Sequence, residues 1–376
     1  MNWAEWVAES NGSMRADGRW RSVRDLDAFG TTGTLDGRTV VSFASNDYLG
    51  LTAHPKVIEG AREALERWGS GSGSARLIVG SRPVHSQLER ELAGWKNAES
   101  ALLFPNGFAA NLGVLTAFGG PDVTIFSDER NHASIVDGCR LARARVAVFD
   151  HLDYDGLARD LAKTASAIVV TDTVFSMDGD LADVERLARL CRRHDALLVL
   201  DEAHAVLGPH PDLTGVTSLR VGTLSKFLGV VGGFVAGERD LIDLLVNRAR
   251  PFIFTTASSP ADAGAALAAL MVLQSDEGRA LRARLETLVQ RVAGGHSSPI
   301  VPVVIGDERA AEKAAAALLD RGLLVPAIRP PSVDPGTSRL RVTLSSAHTD
   351  AQVDALLAGI AEVAGRVGDT SRINRA

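Results

Sequence analysis

The chain predicts an α/β fold, with a mostly parallel seven-stranded sheet in a large domain and a smaller α+β domain after it. Three observations carry this. From about residue 98, short apolar runs alternate with helical patterns, at 101–104, 123–127, 146–149, 167–172, 197–201, 219–223 and 233–236. These runs are apolar almost throughout, as strands covered by helices on both faces are. After about residue 256 the beat changes to longer helical patterns with few strands. The length of 376 residues also exceeds what a single core of roughly 250 residues accommodates.

In chain order, residues 1–45 form an N-terminal arm of short amphipathic pieces with the turn signals Gly30-Thr31-Thr32-Gly33 and Asp36-Gly37 and a strand at 39–43. The large domain, 46–256, opens on Asn46-Asp47-Tyr48-Leu49-Gly50 and a helix begun at Pro55, whose missing amide suits a first helical position. Its apolar face is Val57, Ile58, Ala61, Ala64 and Leu65. The run Gly69-Ser70-Gly71-Ser72-Gly73-Ser74-Ala75-Arg76 is not a dinucleotide loop: it lacks the G-x-G-x-x-G spacing and follows a helix. Between the later strands, Val184, Leu187, Ala188 and Cys191 make one helical stripe within 181–194. The small domain, 257–376, carries helices at 261–274, 280–292 and 309–321, strands at 300–305 and 339–344, and a last helix from Thr349 that runs into a polar tail.

Composition excludes several classes. A net charge of −6 and a pI near 5.9 argue against a general nucleic-acid binder, which needs a basic face. No apolar run approaches the ~20 residues that span a bilayer, and the N-terminus shows no signal-peptide pattern. A cytoplasmic, membrane-independent protein is expected. Cys139 and Cys191 fall within helical patterns and read as small buried hydrophobes.

Chemistry gathers at strand ends, where ligands of such sheets bind. The stretch Thr223-Leu224-Ser225-Lys226-Phe227-Leu228-Gly229 places a lysine just after a strand, where an amine can meet a bound aldehyde. The strand 197–201 ends in Asp201-Glu202-Ala203-His204. An acid there can hold a pyridine nitrogen protonated, and Asp201 with Lys226 points to pyridoxal 5'-phosphate. Asn106-Gly107-Phe108-Ala109-Ala110-Asn111 opens a helix whose free amides suit a phosphate. Asn131-His132-Ala133-Ser134 puts an imidazole over the same face, and Ser176 offers a hydroxyl. In the small domain, Arg339 and Arg341 point to one side of a strand and suit a carboxylate clamp.

Taken together, these motifs resemble the α-oxoamine synthases, fold-type I pyridoxal enzymes that join an amino acid to an acyl thioester with loss of carbon dioxide. The resemblance covers nearly the whole chain, from Ser45-Asn46-Asp47-Tyr48-Leu49-Gly50 to Arg339-Leu340-Arg341. It implies that Lys226 carries the cofactor, Asp201 binds its ring nitrogen, His204 and Ser176 hold its phenolic oxygen, and His132 stacks on it. It assigns Gly107, Phe108 and Thr223 to the phosphate, with Thr256 reaching a neighbour's phosphate in a homodimer. Asn46 and Arg341 would hold the amino-acid carboxylate, and Ser332 and Arg329 would lie near the substrate. Arg19 or Arg21 would supply an N-terminal contact, Arg21 being favoured. Around Ile328-Arg329-Pro330-Pro331 and Arg250-Pro251-Phe252-Ile253-Phe254 the likeness is to the member using L-alanine and a pimeloyl thioester of coenzyme A or acyl carrier protein; members using glycine or serine are the alternative. Ala205, Ala75, Val79 and Ala257 depart from the family pattern, which has glycine, a hydroxyl residue, serine and serine there.

Overall fold

The computed structural model describes residues 1–367; most of the polar tail lies outside the described residues. The large sheet has seven strands: β1 (Ser100–Phe104), β2 (Thr124–Asp128), β3 (Arg145–Phe149), β4 (Ala167–Asp172), β5 (Leu197–Asp201), β6 (Ser218–Thr223) and β7 (Gly233–Gly237). Their order is β1-β7-β6-β5-β4-β2-β3. The central pairs are parallel, and β7 alone runs antiparallel to both neighbours. The short link from β6 to β7 explains the exception, because a parallel return needs a crossover of a dozen or more residues.

Local chemistry sets the helices that cover this sheet. Asn106 caps Gly107–Phe118 by accepting from the Ala109 amide at 2.8 Å, and Asp183 caps Val184–His194 by accepting from Arg186 at 2.9 Å. On the second of these helices Val184, Leu187, Ala188, Leu190 and Cys191 are buried. Cys139 and Cys191 are both free and buried, as expected. Two apolar clusters flank the sheet, one around Val114, Leu115, Ile125 and Val199, the other around Leu157, Val169, Leu187 and Leu200.

The helix Pro55–Trp68 packs tightly on Pro260–Gln274, and glycines allow the approach. A Cβ on Gly60 would stand 2.7 Å from the Gly264 carbonyl oxygen. A third cluster, including Phe43, Tyr48, Leu88, Leu270, Leu340 and Leu356, runs from the end of the arm through the small domain.

The small domain has a three-stranded antiparallel sheet of Ile300–Gly306, Ser338–Thr343 and Ala327–Ile328. The first 45 residues hold one helix, Trp3–Ala16, where short pieces were expected, and no residue of it is buried in this chain. A hairpin follows, Leu26–Phe29 with Thr32–Leu35, then Arg38–Ser42, which pairs in parallel with Leu323–Leu324. The Thr343 amide donates to the Phe43 carbonyl at 2.8 Å, so the arm's last strand is stitched to the small domain. The glycine-rich run ends in a single wide helical turn, Arg76–Gly80.

Candidate active site

Parallel register brings the key groups to one edge. Asp172 and Asp201 are register partners at the ends of β4 and β5, and Thr223 ends β6 two strands from β4. Lys226 follows in the turn after β6. Its Nζ lies 2.8 Å from His204 Nε2, and His204 Nδ1 lies 2.5 Å from the Tyr48 hydroxyl. Burial lowers the Lys226 amine below its ordinary value, with Asp201 and Asp172 pulling the other way. Burial also pushes the His204 imidazole well down, aided by the charges of Lys226 and Arg341, which favours its neutral form. Burial lifts the Tyr48 phenol above its usual value.

Asp201 is fixed from two sides. Its Oδ2 accepts from Asn111 Nδ2 at 2.6 Å, and its Oδ1 accepts from the Ala203 amide at 2.9 Å. Neighbouring Glu202 turns away into a buried ion network with Lys96 at 2.6 Å and Arg220 at 2.7 Å, which anchors the end of β5 from behind. Asp172 Oδ2 accepts from the His132 amide at 2.7 Å and so sets where that imidazole begins. Full burial, and then the charge of Asp201, raise the Asp172 carboxyl well above the usual range.

Two glycines shape the helix start beside β6 and β7. Gly107 and Phe108 are the first helical residues of Gly107–Phe118, and their amides have no acceptor within the helix. A Cβ on Gly107 would meet the Thr223 Cβ at 3.3 Å, and one on Gly233 would stand 2.4 Å from the Asn106 carbonyl carbon. The helix start therefore abuts β6 and β7, with Thr223 beside it.

From the small domain Arg341, 6% exposed, donates from Nε to the Ser176 carbonyl at 2.6 Å and from Nη2 to Asn46 Oδ1 at 3.1 Å. Arg339, equally buried, pairs with Asp178. His132 and Ser176 line a cavity of about 530 Å3 with Arg130, Met177, Ser332 and Arg339.

The structure thus gathers Lys226, Asp201, His204, His132, Thr223, Gly107 and Phe108 at one sheet edge, and adds Asn46, Arg341 and Ser176. Ser332 sits on the cavity wall. Three sequence candidates lie apart in this chain. Thr256 lines a separate recess with Arg76, His85 and Pro105. Arg329 bonds the Gly18 carbonyl at 3.1 Å and Glu312 at 2.7 Å, and Arg21 is exposed on the stretch after Gly18. Sequence reasoning gave no role to Tyr48, Asn111 or Ser134. Asn111 carried a signal: it is an asparagine among the apolar residues of its helix, and it is 1% exposed.

A half-sequestered lysine amine, a doubly anchored acid on the neighbouring strand end, free helix-terminal amides and an imidazole over the same face form a donor set that fits pyridoxal phosphate. With the sheet order they define the class, a fold-type I pyridoxal phosphate enzyme. The chain matches the aminotransferase class I and II family over residues 38–360. It is 49% identical to the 8-amino-7-oxononanoate synthase of Anaeromyxobacter dehalogenans, covering 96% of this chain and 95% of the relative. A Sphingomonas wittichii serine palmitoyltransferase structure superimposes with a TM-score of 0.88 at 28% identity, over 97% of each chain. An 8-amino-7-oxononanoate synthase structure from Francisella tularensis shares the fold, with a TM-score of 0.74 at 24% identity over 87% of this chain and 98% of that one. The chain belongs to the 8-amino-7-oxononanoate synthase family, within aminotransferase class I and II.

Proposed function

We propose that the protein condenses L-alanine with a pimeloyl thioester, of coenzyme A or acyl carrier protein, to give 8-amino-7-oxononanoate, carbon dioxide and free thiol. The observation that carries this reading is the Lys226 amine, held 2.8 Å from His204 Nε2, with Asp201 on the neighbouring strand end and Arg341 bonded to Asn46. In the reaction a carbon–carbon bond forms between the alanine α-carbon and the acyl carbonyl carbon. The thiolate leaves, and the carboxyl group departs as carbon dioxide. Pyridoxal phosphate, when bound, supplies an electron sink for the charge that develops at the α-carbon.

The chain's own groups do the rest. Lys226 Nζ, lowered by burial, is suited to take the α-proton and return one to the product carbon. Arg341 and Asn46 hold the substrate carboxylate and fix which α-bond faces the amine. Asp201 would hold the ring nitrogen, His204 and Ser176 the phenolic oxygen, and Gly107, Phe108 and Thr223 the phosphate.

His132 would cover the ring. Ser332 on the cavity wall, with Arg329 and Arg21 on the neighbouring loops, is assigned to the acyl substrate; the Arg329 bond to Gly18 supports this by holding the arm beside that wall.

The protein works as a homodimer in which Thr256 serves the neighbour's phosphate. Exposed Leu77, Ile78, Val79 and Phe254, at 49, 74, 70 and 70%, support this, since large apolar side chains of this kind mark contact surfaces.

Mass spectrometry of the product formed from pimeloyl-coenzyme A with alanine, glycine and serine offered separately tests the assignment. The expected product comes from alanine; a preference for glycine or serine rejects it.

A further inference from the structure

A buried chain of hydrogen bonds links the acid to the stacking imidazole, and its donor count has one solution. Asn111 Nδ2 reaches both Asp201 Oδ2, at 2.6 Å, and Ser134 Oγ, at 2.9 Å. A carboxylate only accepts, so the amide nitrogen must face Asp201, and both of its protons are used. The cost is visible on the other side, where buried Asn111 Oδ1 has no partner. The reverse amide orientation would set that oxygen against the carboxylate.

Ser134 Oγ therefore accepts from Asn111, and its single proton is free to go onward. It lies 2.7 Å from His132 Nδ1, and the Ser134 backbone amide donates to the same nitrogen at 3.2 Å. Two donors converge on Nδ1, so Nδ1 carries a lone pair and the ring proton sits on Nε2.

We propose that Asn111 and Ser134 are positioning residues that lock His132 as the neutral Nε2–H tautomer and tie its orientation to Asp201. His132 then acts as a stacking platform and hydrogen-bond donor toward the cavity, and proton removal is left to Lys226 Nζ. Becoming an imidazolium would place a proton on Nδ1 against both donors, so the relay opposes protonation. The other charged or titratable groups around this ring are Asp201, Lys226 and His204, with Asp172 at the His132 backbone amide and Glu129, Arg130, Asp137, Arg140, Asp178, Asp334 and Arg339 on the adjoining cavity wall. They are the same in the variants below, so a change on removing the hydroxyl reports the relay.

The functional meaning rests on the placement of His132 over the cofactor ring, but the tautomer is measurable without substrate. The experiment is 15N NMR of histidine-labelled protein across pH, with and without pyridoxal phosphate, the signal being assigned through His132→Gln. In the unmodified protein Nδ1 is expected to be unprotonated and Nε2 protonated. Ser134→Ala should mix the tautomers and raise the imidazole titration by about one pH unit, since one bond to the neutral form is lost. The acidic limb of kcat/KM should move with it, and Ser134→Thr should restore both. A protonated Nδ1 in the unmodified protein, or a Ser134→Ala titration identical to the parent, would overturn the relay. The product assay above can fail while these spectra hold, and the reverse, so the two readings are separable.

Discussion

Arg341 joins three separate segments of the chain through one guanidinium. Its guanidinium is spread over the Ser176 carbonyl, the Thr343 hydroxyl and Asn46, so it is already oriented when a carboxylate arrives. A fork held this way loses little freedom on binding. Arg341→Ala should raise the KM for the amino acid by roughly 10- to 100-fold, the loss of a charge-assisted pair, while pyridoxal phosphate is still retained, as read from its visible absorbance. Steady-state kinetics with an unchanged KM would remove Arg341 from the clamp. Lys226 and Asp201 were legible from sequence because Asp201 ends an apolar strand and Lys226 follows another by three residues, where a charged side chain is out of place unless it has a task. Asn111 and Ser134 were not given roles, because their value depends on groups at other strand ends that only folding brings within 3 Å.

Among the elements, the turn 175–180 is the one that carries Ser176 to the cavity, and it is held electrostatically. His151 sits 2.9 Å from Asp128 and 2.6 Å from Asp180, edge-on to Phe175. Burial by itself would lower this imidazole, but the two carboxylates prevail and raise it to about 9. A group raised in the folded state contributes fully below its unfolded value of about 6.5 and loses that contribution as pH climbs through about 9. The clamp accordingly contributes about 2–3 kcal/mol at neutral or lower pH, an order-of-magnitude figure from one pKa shift. Between pH 6 and pH 9.5 the melting temperature should fall more for the parent than for His151→Gln, measured by calorimetry in the same buffers. Parallel slopes for the two proteins would show that His151 is not charged in the folded state. No motif announces this clamp: His151 lies in a loop between a strand and a helix, and its partners come from two other segments.

On the scale of the whole molecule, the chain leaves apolar surface uncovered. The turn Arg76–Gly80 exposes Leu77, Ile78 and Val79, and the neighbouring segment after Arg250–Ile253 exposes Phe254. The two segments are joined where the Ala257 amide donates to the Ser74 carbonyl at 2.9 Å. If this face closes the dimer, Ile78→Asp places a charge in a dehydrated contact and costs several kcal/mol of association. Sedimentation velocity should then show a shift from dimer toward monomer, with weaker retention of pyridoxal phosphate; an unshifted dimer would move the interface elsewhere. Among the described residues no helix is long and apolar enough to cross a membrane.

What the sequence determined by itself was the alternation of strand and helix and the identity of the strand-end groups. Periodicity of apolar residues is a local property, and the bounds of β4 and β5 came out as read, at Ala167–Asp172 and Leu197–Asp201. The folded chain decided three further things. It ran β7 antiparallel, placed Arg339 on Asp178 and Arg341 over Asn46, and wired Asn111 and Ser134 between Asp201 and His132. The Arg339–Asp178, Arg341–Asn46 and Asn111–Asp201 contacts pair residues far apart in the chain. Such pairings depend on which strand ends become neighbours and how closely glycines such as Gly60, Gly107 and Gly233 let the backbone approach, and no local pattern encodes that.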